Sequence, residues 1–362
     1  MAKLRIITGI QVNKINWLLL FLAFFFYSAC NNKNKDNRTW SVYKADAESS
    51  SYSALRQINK KNVHQLKTAW IFNPNDALKG SGRENSECNP IIIDGIMYAT
   101  SARHRVYAIN ARNGQQVWSF DPFNGGVGGG VCRGVTYWED GEDKRILFTG
   151  GDNLFALNAK TGRPISSFGK DGKVSMNIGI RDNPELISVK PTSPGIVYKD
   201  LLIIGNEVSE LYGAQPGYIR AYNIRTGKLA WTFHTIPKPG ETGYETWPKD
   251  AWKYAGGAND WGGMSLDEKR GMVFLATGSP SYDFYGADRK GKNLFGNCIV
   301  ALDAEAGKLK WYFQTIYHDL WDYDLPAPPN LVTVGKNGKK IDAVAQTSKI
   351  GFLISEGKEF MH

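Results

Sequence analysis

The 362-residue chain has room for two or three ordinary domains or for one large all-β domain. It is 42% hydrophobic and 22% charged, which excludes a disordered chain, and its 11 Trp, 17 Tyr and 39 Gly favour short strands, tight turns and stacked rings over helices. The net charge is +9, but no compact Lys/Arg cluster stands out, which argues against nucleic-acid binding.

Three of those charges, Lys3, Arg5 and Lys14, lie in a leader free of acids. The apolar run Trp17–Phe26 follows, too short for a comfortable transmembrane helix and laid out like an export signal over residues 1–29. Tyr27-Ser28-Ala29-Cys30 resembles a bacterial lipoprotein cleavage site. It predicts a lipid anchor at Cys30, a polar tether over 30–39 and a periplasmic or outer-membrane location. The competing reading is an ordinary secretory signal with an incidental Cys30. Cys88, Cys132 and Cys298 remain; one disulfide and one free thiol is an option, and no spacing resembles a zinc or haem site.

After a partial repeat ending Leu66–Phe72, four segments share one pattern: Val106–Phe120, Leu154–Phe168, Ile219–Phe233 and Ile299–Phe313. Each reads as strand, tight turn and strand, with Asn or Asp and then Gly supplying the turn. A Trp able to pack on the neighbouring unit sits near the end of three of them; the second carries Ser166 there. Further strands are expected at Ile91–Ala99, Arg145–Phe148, Ile196–Ile204 and Gly271–Leu275. Helical periodicity is scarce, and strand-only repeats at intervals above about 40 residues predict propeller blades. The long loops Pro237–Gly263 and Ser279–Lys292 are candidate site walls.

The segment Gln314–Pro329 is the densest in chemistry. His318, Asp319, Trp321, Asp322, Tyr323 and Asp324 crowd together before a proline-rich stop. Carboxylates among bulky apolar groups carry a desolvation cost that a solvated turn does not explain. Ala343–Leu353 begins another strand, and Ile354–His362 has lost the repeat pattern and reads as an aberrant tail.

In these repeats, and above all in the loop His318–Pro329, residues Trp40 to Leu353 resemble the quinoprotein dehydrogenases, which use pyrroloquinoline quinone (PQQ). The loop looks most like the membrane glucose and quinate dehydrogenase branch. The resemblance implies an all-β propeller of the eight-bladed type with about half of its blades here, as in a truncated or frame-shifted product of a longer parent. It implies hydride transfer from a sugar or polyhydroxy alcohol to PQQ, assisted by Ca²⁺ or Mg²⁺, with electrons passed to a quinone or cytochrome.

Carried over residue by residue, the resemblance makes Asp322, directly after the loop Trp, the catalytic base and a metal contact. Glu210, after Ile203-Ile204-Gly205, becomes the acidic metal ligand. Lys349 becomes the cation near the quinone oxygens, and Arg133 in Cys132-Arg133-Gly134 the partner of a PQQ carboxylate. Trp261 becomes the ring under the cofactor, with a core tryptophan as the competing reading. Glu87 and Thr149 match further PQQ contacts. Thr277 stands before Gly278-Ser279-Pro280 where alcohol-oxidising members carry a metal-ligating Asn. Gly129 replaces the His that the glucose branch places before Cys-Arg-Gly, which argues against glucose itself. Two other readings stay open: a non-catalytic propeller lipoprotein of the outer-membrane assembly type, which has no need for Glu210, Asp322 and Lys349 around one cavity, and an inactive fragment.

Overall fold

The structure is a computed structural model that describes residues 37–76, 86–182, 187–351 and 353–357. The leader, Cys30, the tether as far as residue 36 and residues 358–362 of the tail lie outside these.

Among the described residues the chain forms a succession of antiparallel sheets, four of four strands, one of three and a small one of two, Gly256–Gly257 with Pro280–Ser281. Blade 1 is Ile91–Ile93, Ile96–Thr100, Val106–Asn110 and Gln116–Phe120. Blade 2 is Thr136–Asp140, Asp143–Gly150, Asn153–Asn158 and Lys173–Ser175. Blade 3 is Ile196–Tyr198, Leu201–Ile204, Ile219–Asn223 and Leu229–Phe233. Blade 4 is Ser265–Asp267, Met272–Ala276, Cys298–Asp303 and Leu309–Gln314. Blade 5 is Asn330–Lys336, Lys339–Thr347 and Leu353–Gly357. Each is a meander in sequence order. The fold is therefore the expected all-β, incomplete propeller. The last strand pairs with Lys339–Thr347 as far as Gly357.

The first, third and fourth repeats build the outer hairpin of a blade, whereas the last strand of blade 2, Lys173–Ser175, lies beyond its repeat. A bulge follows Ala108, Ala221 and Ala301 at the same point of the repeat. The repeat Trp then lies flat on the turn of the next blade. Trp118 donates its indole N–H to Ala159 O at 3.0 Å, and a Cβ on Gly162 would stand 2.5 Å from its ring. Trp231 does the same to Ala304 O at 3.3 Å, over Gly307. Only a residue without a side chain lets an indole approach the backbone so closely. In blade 2, whose repeat lacks that Trp, Trp138 of the first strand donates to Lys199 O at 3.0 Å.

The core lies between facing sheets. Ile203, Ile219 and Ala221 of blade 3 pack on Leu266, Val273 and Val300 of blade 4, and equivalent layers join blades 1 and 2, 2 and 3, and 4 and 5. Two facing apolar surfaces, each with period-two strands, account for this layering. Cys88, Cys132 and Cys298 carry free thiols. Among the described residues no helix is long and apolar enough to cross a membrane.

Candidate active site

The site is built by segments that leave or enter the blades. Residues 205–217 follow the second strand of blade 3 and carry Glu210. The loop 277–297 within blade 4 carries Asp283, and the loop 315–329 after blade 4 carries Asp319, Asp322 and Asp324. Trp261 precedes blade 4, Arg133 precedes blade 2, Glu87 precedes blade 1, and Lys349 follows the second strand of blade 5.

The acidic loop is held by its first carboxylate. Asp319, 1% exposed, accepts hydrogen bonds from Ser279 Oγ (2.5 Å), Asn297 Nδ2 (2.9 Å), and the backbone N–H groups of Trp321 (3.0 Å) and Tyr323 (2.7 Å). So anchored, the chain turns through φ +57° at Asp322. A left-handed conformation at a non-glycine residue is uncommon and is maintained by its surroundings. Buried Arg289 braces the same region, donating to the carbonyls of Tyr282 (3.2 Å) and Asp319 (2.6 Å).

Asp322 and Lys349 form the charged centre. The Lys349 ammonium donates to both Asp322 oxygens at 2.8 Å and to Asp324 Oδ2 at 3.1 Å. Asp324 Oδ2 also accepts the Trp261 indole N–H at 3.0 Å, which fixes that ring. Two cations flank the ring: the Arg133 guanidinium 5.3 Å and the Lys349 ammonium 6.0 Å from its centroid. Arg133 also pairs with Glu87 at 2.9 Å and donates to Trp261 O at 3.2 Å. Glu87, Arg133, Trp261, Lys349 and Asp322 are thus one connected network.

Carboxylate oxygens of Glu210, Asp283 and Asp322 lie within 4.8 Å of one another. Two further residues expected at the site have hydroxyls hydrogen-bonded to backbone groups. Thr149 donates to Pro191 O at 2.9 Å, and Thr277, fully buried, donates to Phe295 O at 2.5 Å and accepts the N–H of Cys298 at 2.9 Å. The Thr277 hydroxyl is thus held by backbone groups on two sides.

Burial raises the Asp322 carboxyl above its ordinary pKa although Lys349 opposes the shift. Burial acts against the charge on Lys349, but Asp322 and Asp324 outweigh it and hold the ammonium above its usual range. Asp283 is pushed up to about 8 by burial and then by the charges of Asp324, Asp322 and Glu210. Asp260, next to Trp261, is pushed up to about 8 by burial, against backbone N–H donors from Gly263 and Gly262. Sequence reasoning passed over Asp283 and Asp260. Asp283 stands between Tyr282 and Phe284, the same acid-among-rings pattern that singles out Asp322.

Residues 40–354 match the PQQ family described as the glucose/ethanol/alcohol dehydrogenase β-propeller domain. The chain belongs to that PQQ-dependent dehydrogenase family. It is 31% identical over 337 residues to the quinoprotein glucose dehydrogenase of Escherichia coli, which covers 87% of this chain and 42% of that protein. It is 31% identical over 345 residues to the quinate/shikimate dehydrogenase (quinone) of Acinetobacter baylyi, covering 88% and 42%. The solved structure of quinohemoprotein alcohol dehydrogenase from Comamonas testosteroni superposes with a TM-score of 0.76 at 28% identity, covering 90% of this chain and 48% of that one. This PQQ-family chain therefore spans less than half the length of the curated relatives it matches.

Proposed function

We propose that this chain acts within an exported, lipid-anchored PQQ-dependent dehydrogenase that oxidises a sugar or polyhydroxy alcohol and passes electrons to a quinone or cytochrome. The observation that carries the reading is the Lys349–Asp322 pair beside Trp261, with Glu210 close enough to share an ion with Asp322. A non-catalytic propeller has no use for that constellation.

The residues fit both implied groups. PQQ is a flat tricarboxylate, and an indole flanked by one guanidinium and one ammonium is a surface for such a ligand. The oxygen-only cluster suits a hard divalent cation. When bound, PQQ supplies the quinone that accepts hydride from the carbinol carbon, and Ca²⁺ or Mg²⁺ supplies Lewis-acid polarisation.

The chain's own side chains do the rest. Asp322 takes the proton of the substrate hydroxyl. Lys349, donating to both of its oxygens, favours the ionised form that a base requires and places positive charge where an oxyanion would develop. Arg133 anchors a carboxylate, with Glu87 orienting the guanidinium. Asp324 fixes the Trp261 ring and shares the Lys349 ammonium.

The test mixes the recombinant protein with PQQ and Ca²⁺ and follows reduction of an artificial dye across sugars and polyols. PQQ binding is read separately from tryptophan quenching. PQQ-dependent dye reduction with some polyol is expected. Failure of PQQ to quench the wild-type protein would remove the reading; quenching without turnover would assign the chain to an inactive fragment.

A further inference from the structure

We propose that Asp283 completes, with Glu210 and Asp322, a three-carboxylate cation site of which Thr277 is no part. The inference rests on the metal-assisted reading above and names the third protein ligand.

Two ligand oxygens on opposite sides of one Ca²⁺ stand roughly 4.6–5.2 Å apart, given bonds of about 2.3–2.6 Å. The mutual 4.8 Å limit among Glu210, Asp283 and Asp322 falls within that span. Independently of the cluster, Asp283 is 4% exposed, and its Oδ1 is buried with no hydrogen-bond partner. An ionised carboxylate in that condition carries a desolvation cost unless a positive charge or a proton meets it. The Arg289 charge acts on it from a distance, but no protein cation hydrogen-bonds its Oδ1. Lys349 is committed to Asp322 and Asp324, and Arg289 makes its hydrogen bonds to Tyr282 O, Asp319 O and Asn293 Oδ1. Thus Glu210, Asp283, Asp322 and Asp324 face the Lys349 ammonium and, at longer range, the Arg289 guanidinium, a deficit that a divalent cation offsets.

The backbone makes the convergence rigid. Asp283 N–H donates to Glu210 O at 3.4 Å, and Ser281 Oγ donates to Ser209 O at 2.8 Å. The loop of blade 4 is thereby sewn to the segment between the second and third strands of blade 3, and the two side chains enter the same space. Arg289 ties Tyr282 to Asp319 and so sets the Asp283 loop against the loop of Asp322. Thr277, by contrast, has its hydroxyl held by Phe295 O and the Cys298 N–H inside the core.

The experiment titrates Ca²⁺ calorimetrically, with no PQQ or substrate present, into the wild-type protein and into Asp283→Asn and Thr277→Val. Wild type is expected to bind one ion, Asp283→Asn to bind it at least about tenfold more weakly through loss of one ligand charge, and Thr277→Val to bind it as wild type does. Wild-type affinity in Asp283→Asn, equal weakening in Thr277→Val, or no binding by wild type would each overturn the proposal. A crystal of the wild-type protein grown with Sr²⁺ asks the same question without a variant. An anomalous peak bonded to Asp283 is expected, and a peak touching Glu210 and Asp322 alone refutes it. PQQ quenching distinguishes the two readings: a protein that binds Ca²⁺ but not PQQ sinks the dehydrogenase assignment and leaves this site standing.

Discussion

Asp260 offers the cleanest link between burial and a measurable pH dependence. Its carboxyl is 3% exposed, Oδ1 accepts the Gly263 N–H at 3.0 Å, and Oδ2 is buried without a partner. The ordinary value of 3.8 rises to about 8 in the fold. Below about pH 4 the group is protonated in both folded and unfolded chains and confers no pH dependence. Between about pH 4 and pH 8 only the unfolded chain releases its proton, so the folded state loses stability as pH rises. Above about 8 both forms are ionised and the loss is complete. The gap corresponds to at most roughly 6 kcal/mol, and relaxation of the interior reduces this to about 2–4 kcal/mol. Asp260→Asn keeps the shape and the Oδ1 acceptor but cannot ionise. Urea unfolding followed by circular dichroism at pH 4.5, 6, 7.5 and 9 should show the variant gaining on wild type by about 2–4 kcal/mol across that range, whatever the constant offset from burying an amide. Parallel stability curves, or a wild type that gains on the variant as pH rises, would refute the reasoning.

Asp322→Asn should lower PQQ-dependent dye reduction about 10²- to 10⁴-fold, the usual contribution of a general base, while PQQ quenching persists; unchanged turnover would remove Asp322 as the base. Arg133→Gln removes the guanidinium that pairs with Glu87 and should weaken PQQ binding about 10- to 100-fold, read by fluorescence titration, without altering Ca²⁺ affinity. Gly307 has φ +67°, and an added Cβ would sit 2.5 Å from the Trp231 ring. Gly307→Ala should therefore cost about 2–3 kcal/mol. Gly338→Ala, at φ +74° with nothing within 4 Å, should cost about 1 kcal/mol in the same urea assay. Equal effects would mean that the indole contact contributes nothing beyond backbone strain.

The blades were legible in the sequence because their determinants are local. Strand alternation, the turn begun by Asn110, Asn158, Asn223 or Asp303 and closed by a glycine, and a Trp at a fixed place recur within some 15 residues. Docking of Trp118 on Gly162 follows from the same repeat, since each unit presents the same turn to its neighbour. The loop around Asp322 was legible for another reason: acids packed among aromatic groups imply a burial cost that function must justify. Identity within the PQQ-dependent family came through the same residues.

Tertiary structure alone decided which groups share a space. Glu210, Asp283 and Asp322 are separated by 73 and 39 residues along the chain, and Glu210 and Asp283 meet because hydrogen bonds sew together loops within blades 3 and 4. Thr277 precedes Asp283 by only six residues, yet its hydroxyl turns into the sheet to satisfy Phe295 O and the Cys298 N–H. Proximity in sequence says nothing of that choice, because a buried hydroxyl goes where an unpaired carbonyl or N–H awaits it. The charge state of Asp260 was equally hidden, since burial is a property of everything packed around a residue rather than of the residue itself.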